Sequence, residues 1–325
     1  MVDISIVIVN YKSWTVLREC LEAITAMVSN RFSFETIVVD NDSNDEKIDG
    51  FRNQFPLVNF IKNSGNNGFA NGCNTGANLS KGNYLLFLNP DTVANEDAIY
   101  QLWKTAKNNT DFGIVTCTQL NEKGKPYNEM RFFPSLITLF GSFRAINKLF
   151  PKKQIIENLN PVKSIAFPDW VTGAVIFMSA DWFKKINGWN EKYWLYFEDV
   201  DICNRIAKKG GKVVLIGTTT ILHKHGGASR INIKTKALTK TEVLISQHIY
   251  FSEHSKGFEL FLIQSLLLLT LLFEKTLMAI FGCVFFFIPK LKVNLYLFKN
   301  LLTYYFSAIY NRTWISPRST LYKHQ

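Results

Sequence analysis

The sequence contains few cysteines, and they are not grouped. Five cysteines occur among 325 residues, and no two have the C-x-x-C spacing of a zinc-binding pair. Their wide separation gives no sign of a disulfide framework either, which suits a reducing compartment. The cysteines are Cys20, Cys73, Cys117, Cys203 and Cys283.

Signals for export and for nucleic-acid binding are also missing. The N-terminus runs directly into SIVIVNY, without a basic segment and a cleavable apolar stretch, so we expect no signal peptide and a cytoplasmic location. The net charge of +11 suits nucleic acid, an anionic membrane or phosphorylated substrates. Because the lysines are dispersed, with no RGG run, zinc finger or basic-aromatic RNP string, we expect no nucleic-acid partner.

Apolar strands alternate with amphipathic helices in the first 120 residues. The run ISIVIV at 4–9 is almost entirely β-branched, as in a strand buried on both faces of a parallel sheet. The pattern predicts an open, doubly wound α/β sheet. Further strands are predicted at 35–39, 59–62, 84–88 and 114–118, and helices at 14–27, 72–79 and 96–107.

Polar residues follow these strands at the ends where open α/β sheets bind ligands. Three such groups would meet at one edge of the sheet and form a binding site. They are Asn10 and Tyr11 after the first strand, Asp40, Asn41 and Asp42 after the second, and Asn89 and Asp91 after the fourth.

The chain beyond residue 120 is less regular. Five prolines between 124 and 168 predict a loop-rich excursion that covers the site as an acceptor-facing lid. Beyond it we predict a strand at 170–178, a helix at 180–186, an acidic cluster at 198–201, and a strand at 213–216 that leads through a threonine turn to His223 and His225.

The C-terminal part has a different character, and we predict two domains, at 1–235 and 236–325. The second contains the apolar blocks LFLIQSLLLLTLLF and TLMAIFGCVFFFIP, divided by Glu274 and Lys275. Each block is shorter than the roughly 20 residues that span a bilayer, which predicts two interfacial or re-entrant helices at a membrane surface. The basic residues that follow favour the anionic cytoplasmic leaflet by about 1 kcal/mol each. The alternative is a helical homodimer interface.

Six motifs occur in order between about residues 3 and 230. They are SIVIVNY, VVDNDS, NSGNNGFANGCNTG, LFLNPD, DWVTGAVIFMS and GWNEKYWLYFEDVDICNRIAKKG. Together they resemble the family 2 inverting glycosyltransferases with the GT-A fold, especially their rhamnosyltransferase-like branch. The resemblance implies a Rossmann-like, mostly parallel open sheet with flanking helices, a nucleotide-sugar donor, a lipid-linked saccharide acceptor and Mg²⁺ or Mn²⁺ as cofactor.

The resemblance also implies roles for individual residues. Asp199 is the expected catalytic base, which accepts the proton of the attacking acceptor hydroxyl. The expected metal ligands are Asp91 and a late histidine, His223 or His225. The expected donor-binding residues are Asn10, Tyr11, Asp40, Asn41, Asn63, Gly68, Asn71 and Asn89, and the expected acceptor-binding residues are Trp170, Thr172, Gly173 and Glu198.

Taken alone, most of these residues also have a structural interpretation. Asp40 suits an Asx-turn, and the Asn-Pro-Asp triplet at 89–91 suits a β-turn. The glycine-rich string suits a turn and a helix cap. Carboxylates at 198–201 are favoured by a helix N-terminus, and Trp170 suits a packed core.

The expected activity is inverting transfer of a hexose, such as rhamnose, from a dTDP- or UDP-sugar to a lipid-linked saccharide in cell-surface polysaccharide synthesis. Two alternatives stay open. One is a polyprenyl-phosphate glycosyltransferase, whose acceptor is the bare lipid phosphate. The other is a non-catalytic, nucleotide-sugar-binding membrane scaffold, because Asn89 departs from the family's double-aspartate form.

Overall fold

A computed structural model describes residues 2–127, 131–135, 165–224 and 232–322. These residues form two compact units. The first contains 2–127, 131–133, 165–191 and 198–224, and the second contains 134–135, 192–197 and 232–322. The sequence pattern does not predict that the short segment 192–197 belongs to the second unit.

A nine-stranded sheet forms the centre of the first unit as described. Its strand order is β3-β2-β1-β4-β8-β6-β9-β5, with β7 beside β9. The strands are β1 Ile4–Asn10, β2 Phe34–Asp40, β3 Val58–Lys62, β4 Tyr84–Leu88, β5 Thr92–Val93, β6 Phe112–Leu120, β7 Ile165–Ala166, β8 Val175–Ser179 and β9 Lys212–His223.

The sheet is mixed. Strands β1 to β4 pair in parallel with one another, and β6 pairs in parallel with β9. Strand β8 runs antiparallel between β4 and β6, and the short strands β5 and β7 run antiparallel to β9. The expected α/β sheet with flanking helices is therefore confirmed, and the antiparallel strand β8 joins its two parallel parts.

Six helices of the described chain flank the sheet. Helix α1 buries Leu17, Leu21 and Ile24 at helical spacing, and the Asn95 side chain caps α4 by accepting the Ala98 N–H. The second helix has no comparable apolar stripe, because its sequence KIDGFRNQ is mostly polar, and the sequence pattern misses it. The helices are α1 Trp14–Thr25, α2 Lys47–Gln54, α3 Phe69–Asn78, α4 Glu96–Asn108, α5 Ala180–Lys185 and α6 Glu198–Lys208.

Two sequence expectations about the later strands need correction. Strand β9 is continuous from Lys212 to His223, so the threonines at 218–220 belong to the strand and form no turn. A register shift opposite Cys117 and Thr118 accommodates the extra residues as a bulge. Strand β8 begins only at Val175, and most of the predicted lid, at 128–130 and 136–164, lies outside the described residues.

The second unit is helical. The first apolar block and most of the second lie in one helix that continues through Glu274 and Lys275, so the expectation of a separate helix for each block is wrong. The Lys275 ammonium is 2.7 Å from the Glu274 carboxylate, so the two charges neutralise each other inside the helix. The helices are α7 Ile233–His254, α8 Gly257–Val284 and α9 Pro289–Tyr310, followed by a 3-10 turn at Thr320–Tyr322.

Helix α8 is long and apolar enough to cross a membrane by length and composition, and it is the one such helix in the described chain. Less than a quarter of its most apolar stretch is buried within the protein. Large side chains such as Phe273 and Phe281 of this helix, and Phe286 just beyond its end, are instead mostly exposed. An apolar surface of this extent marks an interaction site with a membrane or another protein.

The remaining helices of this unit enclose a polar core. The His248 ring stacks on Trp314 with 4.6 Å between the ring centroids, and its Nε2 lies 3.0 Å from the Tyr305 hydroxyl. Burial lowers the pKa of His248 to about 4, so this imidazole is neutral at pH 7. The buried Glu242 carboxylate accepts from Arg318 at 2.8 Å. These directed contacts fix the packing of α7 against the C-terminal segment.

Two glycines allow helix α3 to lie directly on the sheet. A Cβ atom at Gly76 would come within 2.4 Å of a Val7 methyl group, and one at Gly72 would come within 2.7 Å of Val9. No side chain fits between the helix and β1 at these points. These two glycines of the glycine-rich string therefore serve helix packing.

We expect Gly76→Ala to lower the free energy of unfolding by about 1–3 kcal/mol, because the added methyl group overpacks the contact with Val7. Gly50→Ala is the matched control, since Gly50 also lies in a helix but has open space around it. That control should be neutral or slightly stabilising. Urea denaturation measures both, and equal stability of the two variants would contradict the packing argument.

Candidate active site

The parallel strands β1, β2, β4, β6 and β9 end at the same edge of the sheet. Asn10 and Asp40 are register partners at the ends of β1 and β2. Most of the site residues expected from the sequence follow these strand ends or lie in segments attached to them. The edge therefore gathers groups that are far apart in the sequence.

Asp40 takes part in a closed turn. Its Oδ1 accepts from the Asn10 amide at 2.8 Å and from the Ser43 hydroxyl, and its Oδ2 accepts from the Ser43 N–H at 3.0 Å. Both oxygens of this buried carboxylate are used by the protein. The Asx-turn interpretation thus describes Asp40 in this structure, and Asn10 supports that turn.

A chain of side-chain amides connects the second strand to α3. Asn41 donates to the Gly68 carbonyl at 2.9 Å, and Asn63 donates to Asn41 at 3.0 Å and to Asn71 at 2.8 Å. Gly68 has a φ of +95°, which favours glycine at the start of this helix. The four residues expected to bind the donor on this side are therefore brought together.

Glu191 lies at the end of this series of hydrogen bonds, and the sequence pattern does not predict its contacts. Its two carboxylate oxygens each accept from an asparagine of α3, Asn71 and Asn74, at 2.7 Å. Asn74 also donates to the Trp189 carbonyl and accepts its N–H, both at 2.9 Å. The loop that precedes the acidic cluster is thus tied to the glycine-rich string. The spacing of acid and amides gives no signal, because more than a hundred positions separate them.

The Asn-Pro-Asp triplet forms the turn that the sequence allowed, and this turn presents Asp91. The Asn89 N–H donates to the Ala174 carbonyl at 3.0 Å, while the Asn89 carbonyl accepts from the N–H and the hydroxyl of Thr92. The Asp91 Oδ1 lies 3.2 Å from Nε2 of His223, at the end of β9. The structural and the functional interpretation of the triplet are therefore compatible.

The pair formed by Asp91 and His223 fits a divalent cation. Two ligand atoms at right angles around Mg²⁺ or Mn²⁺, each about 2.1 Å away, lie about 3 Å apart. Nδ1 of His223 is held by the Gln119 side chain at 2.8 Å, which leaves Nε2 directed at the carboxylate. Within the described residues no group of three or more His, Cys, Asp or Glu side chains could hold a metal ion. The protein thus offers a half-site that substrate oxygens would complete, and His225 lies outside the described residues.

The acidic cluster begins helix α6, as the sequence predicts. Asp199 accepts the Gly173 N–H at 3.1 Å on one oxygen and the Val200 N–H at 2.9 Å on the other. Asp201 is buried and pairs with Arg205 at 2.7 Å. Arg205 also donates to the carbonyls of Ile186 and Gly188, so it braces the preceding loop.

Glu198 and Asp199 have different environments. Burial and the neighbouring Asp199 raise the pKa of Glu198 well above its usual range, and one of its oxygens has no hydrogen-bond partner among the described residues. Burial also raises the pKa of Asp199, but the N–H groups of Gly173 and Val200 and the charge of Arg131 oppose that rise. The pair can therefore consist of a neutral Glu198 and an ionised Asp199.

The segment before β8 contains the other expected acceptor-binding residues. The Trp170 ring is covered by the Arg131 guanidinium at 4.6 Å, and its indole N–H donates to the Phe132 carbonyl. The Thr172 hydroxyl accepts from the Gln119 amide at 2.8 Å. Gly173 contacts Asp199 as described above. This segment therefore connects the Asp91 and His223 pair to the acidic cluster.

Tyr11 and Glu198, which are expected to bind the donor and the acceptor respectively, differ in their exposure. Tyr11 is 36% exposed at the end of β1, where the Lys12 ammonium lies 5.4 Å from the ring centroid. Glu198 is buried, and the pKa of Cys73 in α3 is raised by burial and, to a smaller extent, by the nearby Glu198 carboxyl, so the two side chains are close. The Tyr11 ring is open to a ligand at the sheet edge, whereas Glu198 is directed into the protein.

Comparison with known protein families covers most of the first unit. A family profile described as Glycosyl transferase family 2 matches residues 5–169, slightly more than half of the chain. A second profile, described as the N-terminal domain of galactosyltransferase, matches residues 163–225. The two matches together contain every residue of the site described above.

Curated relatives point in the same direction. The chain is 30% identical over 211 residues to the low-salt glycan biosynthesis hexosyltransferase Agl10 of Haloferax volcanii, covering 64% of this chain and 62% of that protein. It is 24% identical over 203 residues to an N-acetylglucosaminyl-diphospho-decaprenol L-rhamnosyltransferase of Mycobacterium tuberculosis, covering 58% and 65% respectively. Each alignment spans less than two thirds of the relative's length.

A solved structure has a similar fold. The structure of GalNAc-T7 with UDP, GalNAc and Mn²⁺ matches 69% of this chain and 43% of that chain, with a TM-score of 0.53 and 14% identity. At this identity the similarity concerns the GT-A fold alone. Together with the profile match over more than half of the sequence, it leads to one conclusion: the chain is a glycosyltransferase that belongs to glycosyl transferase family 2.

Proposed function

We propose that this glycosyltransferase transfers a hexose such as rhamnose from a dTDP- or UDP-sugar to a lipid-linked saccharide at the cytoplasmic face of the membrane, with inversion at the anomeric carbon. Relatives named as a hexosyltransferase and as rhamnosyltransferases support the transferred group. The decaprenol-linked substrate in the name of one relative supports the acceptor, and the product would serve cell-surface polysaccharide synthesis.

The surroundings of Asp199 carry this proposal. Inverting transfer needs one carboxylate that removes the proton of the acceptor hydroxyl while that oxygen attacks the anomeric carbon. Asp199 is fixed by the backbone N–H groups of Gly173 and Val200, and Gly173 belongs to the expected acceptor segment. The raised pKa of Glu198 favours its neutral form, which leaves Asp199 as the carboxylate of this pair that accepts the proton.

The donor side is supported by the amide chain from Asn41 to Glu191. Side-chain amides and the start of α3 offer the donors and acceptors that a nucleotide and its phosphates need. Asp91 and His223 would hold Mg²⁺ or Mn²⁺, which neutralises charge on the departing nucleoside diphosphate. The Asn89 side chain stays an expected donor contact at the same turn.

The exposed apolar face of α8 supports action at a membrane. A lipid-linked acceptor stays at the bilayer surface, so an enzyme that binds the same surface meets it at a high local concentration. The basic residues Lys292 and Lys299 of α9 are exposed and suit anionic headgroups. A homodimer is the other way to cover this face.

We expect Asp199→Asn to lower kcat by about 10²- to 10⁴-fold, because the amide cannot accept the proton. In the unaltered protein the rate should fall as the pH decreases through the raised pKa of Asp199, hence at a higher pH than for an ordinary aspartate. Asp111→Asn, at an exposed ion pair with Lys212, is the control and should keep full activity. Release of nucleoside diphosphate measures all three, and an active Asp199→Asn would refute the assignment.

We expect His223→Gln to raise the Mn²⁺ concentration needed for half-maximal activity at least tenfold, because one of two protein ligands is lost. His225→Gln is the comparison, and it should leave that concentration unchanged. The opposite pattern would assign the metal to His225 instead of His223. A titration of nucleoside diphosphate release with Mn²⁺ gives both values.

A label on Cys283 can test the proposed membrane binding in the unaltered protein. All five cysteines are described, and this one at the end of α8 is exposed while the others are buried. A polarity-sensitive fluorophore on Cys283 should shift to the blue when vesicles of phosphatidylcholine and phosphatidylglycerol are added. Phe286→Glu should weaken vesicle binding about thirtyfold, since roughly 2 kcal/mol of phenylalanine burial is lost.

The matched control for Phe286→Glu is Leu57→Glu, at another exposed apolar side chain in the first unit, and it should bind vesicles normally. A blue shift that depends on protein concentration and not on lipid would show that a second copy of the chain covers the face. Binding that is insensitive to Phe286→Glu would also contradict the membrane proposal.

A further inference from the structure

We propose that Gln119 is a positioning residue that directs Nε2 of His223 at the metal site. The inference rests on the metal half-site of the proposed function and goes beyond it, because none of the six sequence motifs includes Gln119. The residue lies at the end of β6, is 3% exposed, and neighbours β9 in the sheet.

The Gln119 carboxamide contacts two residues of the site with its two ends. Its Oε1 lies 2.8 Å from Nδ1 of His223, and its Nε2 donates to the Thr172 hydroxyl at 2.8 Å. An amide oxygen can only accept, so the contact requires the histidine proton to be on Nδ1. A neutral imidazole with that proton has its lone pair on Nε2.

That tautomer is the one a metal ligand needs. Nε2 faces the Asp91 Oδ1 at 3.2 Å, and a cation bound between them requires a lone pair on the nitrogen. With the proton on Nε2, the ring would donate to Asp91 and would have nothing to offer a cation. The contact with Gln119 therefore selects the metal-binding form of the ring.

Thr172 contacts the other end of the carboxamide. Its hydroxyl accepts the amide N–H at 2.8 Å, while the carboxamide oxygen faces the ring. Through this contact the acceptor segment at 170–174 and the metal half-site share one buried hydrogen-bond chain.

The inference predicts that Gln119→Met lowers Mn²⁺ affinity more than Gln119→Glu does, and a role in packing alone predicts the opposite order. Gln119→Met has a similar shape but no acceptor, so Mn²⁺ affinity should fall about 10- to 100-fold. Gln119→Glu keeps an acceptor for the Nδ1 proton, so affinity should stay within about threefold of the unaltered protein. If Gln119 only fills space, the apolar methionine should be tolerated and the buried glutamate should be harmful. Gln101→Met, at an exposed position of α4, is the matched control.

The test measures Mn²⁺ binding by electron paramagnetic resonance in the presence of UDP, with thermal unfolding as a check on the fold. Nitrogen-15 NMR of histidine-labelled protein adds a direct reading of the ring. With Mg²⁺ and UDP bound, the unaltered protein should show an unprotonated Nε2 for His223, and Gln119→Met should show a mixture of tautomers. Equal Mn²⁺ affinity of Gln119→Met and the unaltered protein, or an Nε2 proton in the latter, would overturn the inference.

Failure of the inference and failure of the proposed function give different results. If the unaltered protein binds no Mn²⁺ with UDP, the metal half-site itself is wrong. If it binds Mn²⁺ and loses that binding on His223→Gln but not on Gln119→Met, the half-site stands and only the role of Gln119 is refuted.

Discussion

The short contact between Asp91 and His223 depends on the way the sheet is assembled. Asp91 follows β4 and His223 ends β9, and the two strands β8 and β6 lie between them in the sheet. They meet because the turn after β4 extends into β5, which pairs with the end of β9. The acceptor segment is attached to this pair, since Gln119 contacts the histidine and Thr172 contacts Gln119.

The same edge brings together a base and a donor-binding region. Gly173 follows Thr172 in the chain and fixes Asp199, and Glu191 ties the loop before α6 to the asparagines of α3. A displacement of the 170–174 segment would therefore alter the histidine, the base and their separation together. The fold thus holds the base and the metal-binding residues in fixed relative positions, which an in-line attack on an anomeric carbon requires.

The sequence predicted the elements with strong local signals. The continuous β-branched run of β1 predicts a strand buried on both faces, and it packs between α1 and α3 as expected. Helix α2 was missed because its polar sequence carries no apolar period, and the course of β9 was misread because threonines suit both strands and turns. The apolar blocks of the C-terminal part were divided at Glu274, although an ion pair between adjacent residues lets one helix continue.

Site residues were predictable mainly where a motif marks them. Asp91 and Asp199 belong to such motifs, whereas His223 lies beyond them and is expected from its position after a late strand. Their roles remain proposals that the geometry supports. Gln119 lies outside the motifs, and Gln119 and Glu191 act through hydrogen bonds between distant parts of the chain, which a single sequence does not record. Ser43 lies within VVDNDS and bonds locally to Asp40. The turn interpretation of Asp40 is what the structure displays, because local hydrogen bonds occupy both oxygens of its carboxylate.

The central claim is that one fixed carboxylate drives attack from the face opposite the leaving nucleotide. The most direct measurement is the anomeric configuration of the product, determined by NMR after incubation with dTDP- and UDP-hexoses, Mn²⁺ and a lipid-linked saccharide. The account predicts a linkage whose configuration is opposite to that of the donor. A product that retains the donor configuration, or nucleotide binding without any transfer, would contradict it.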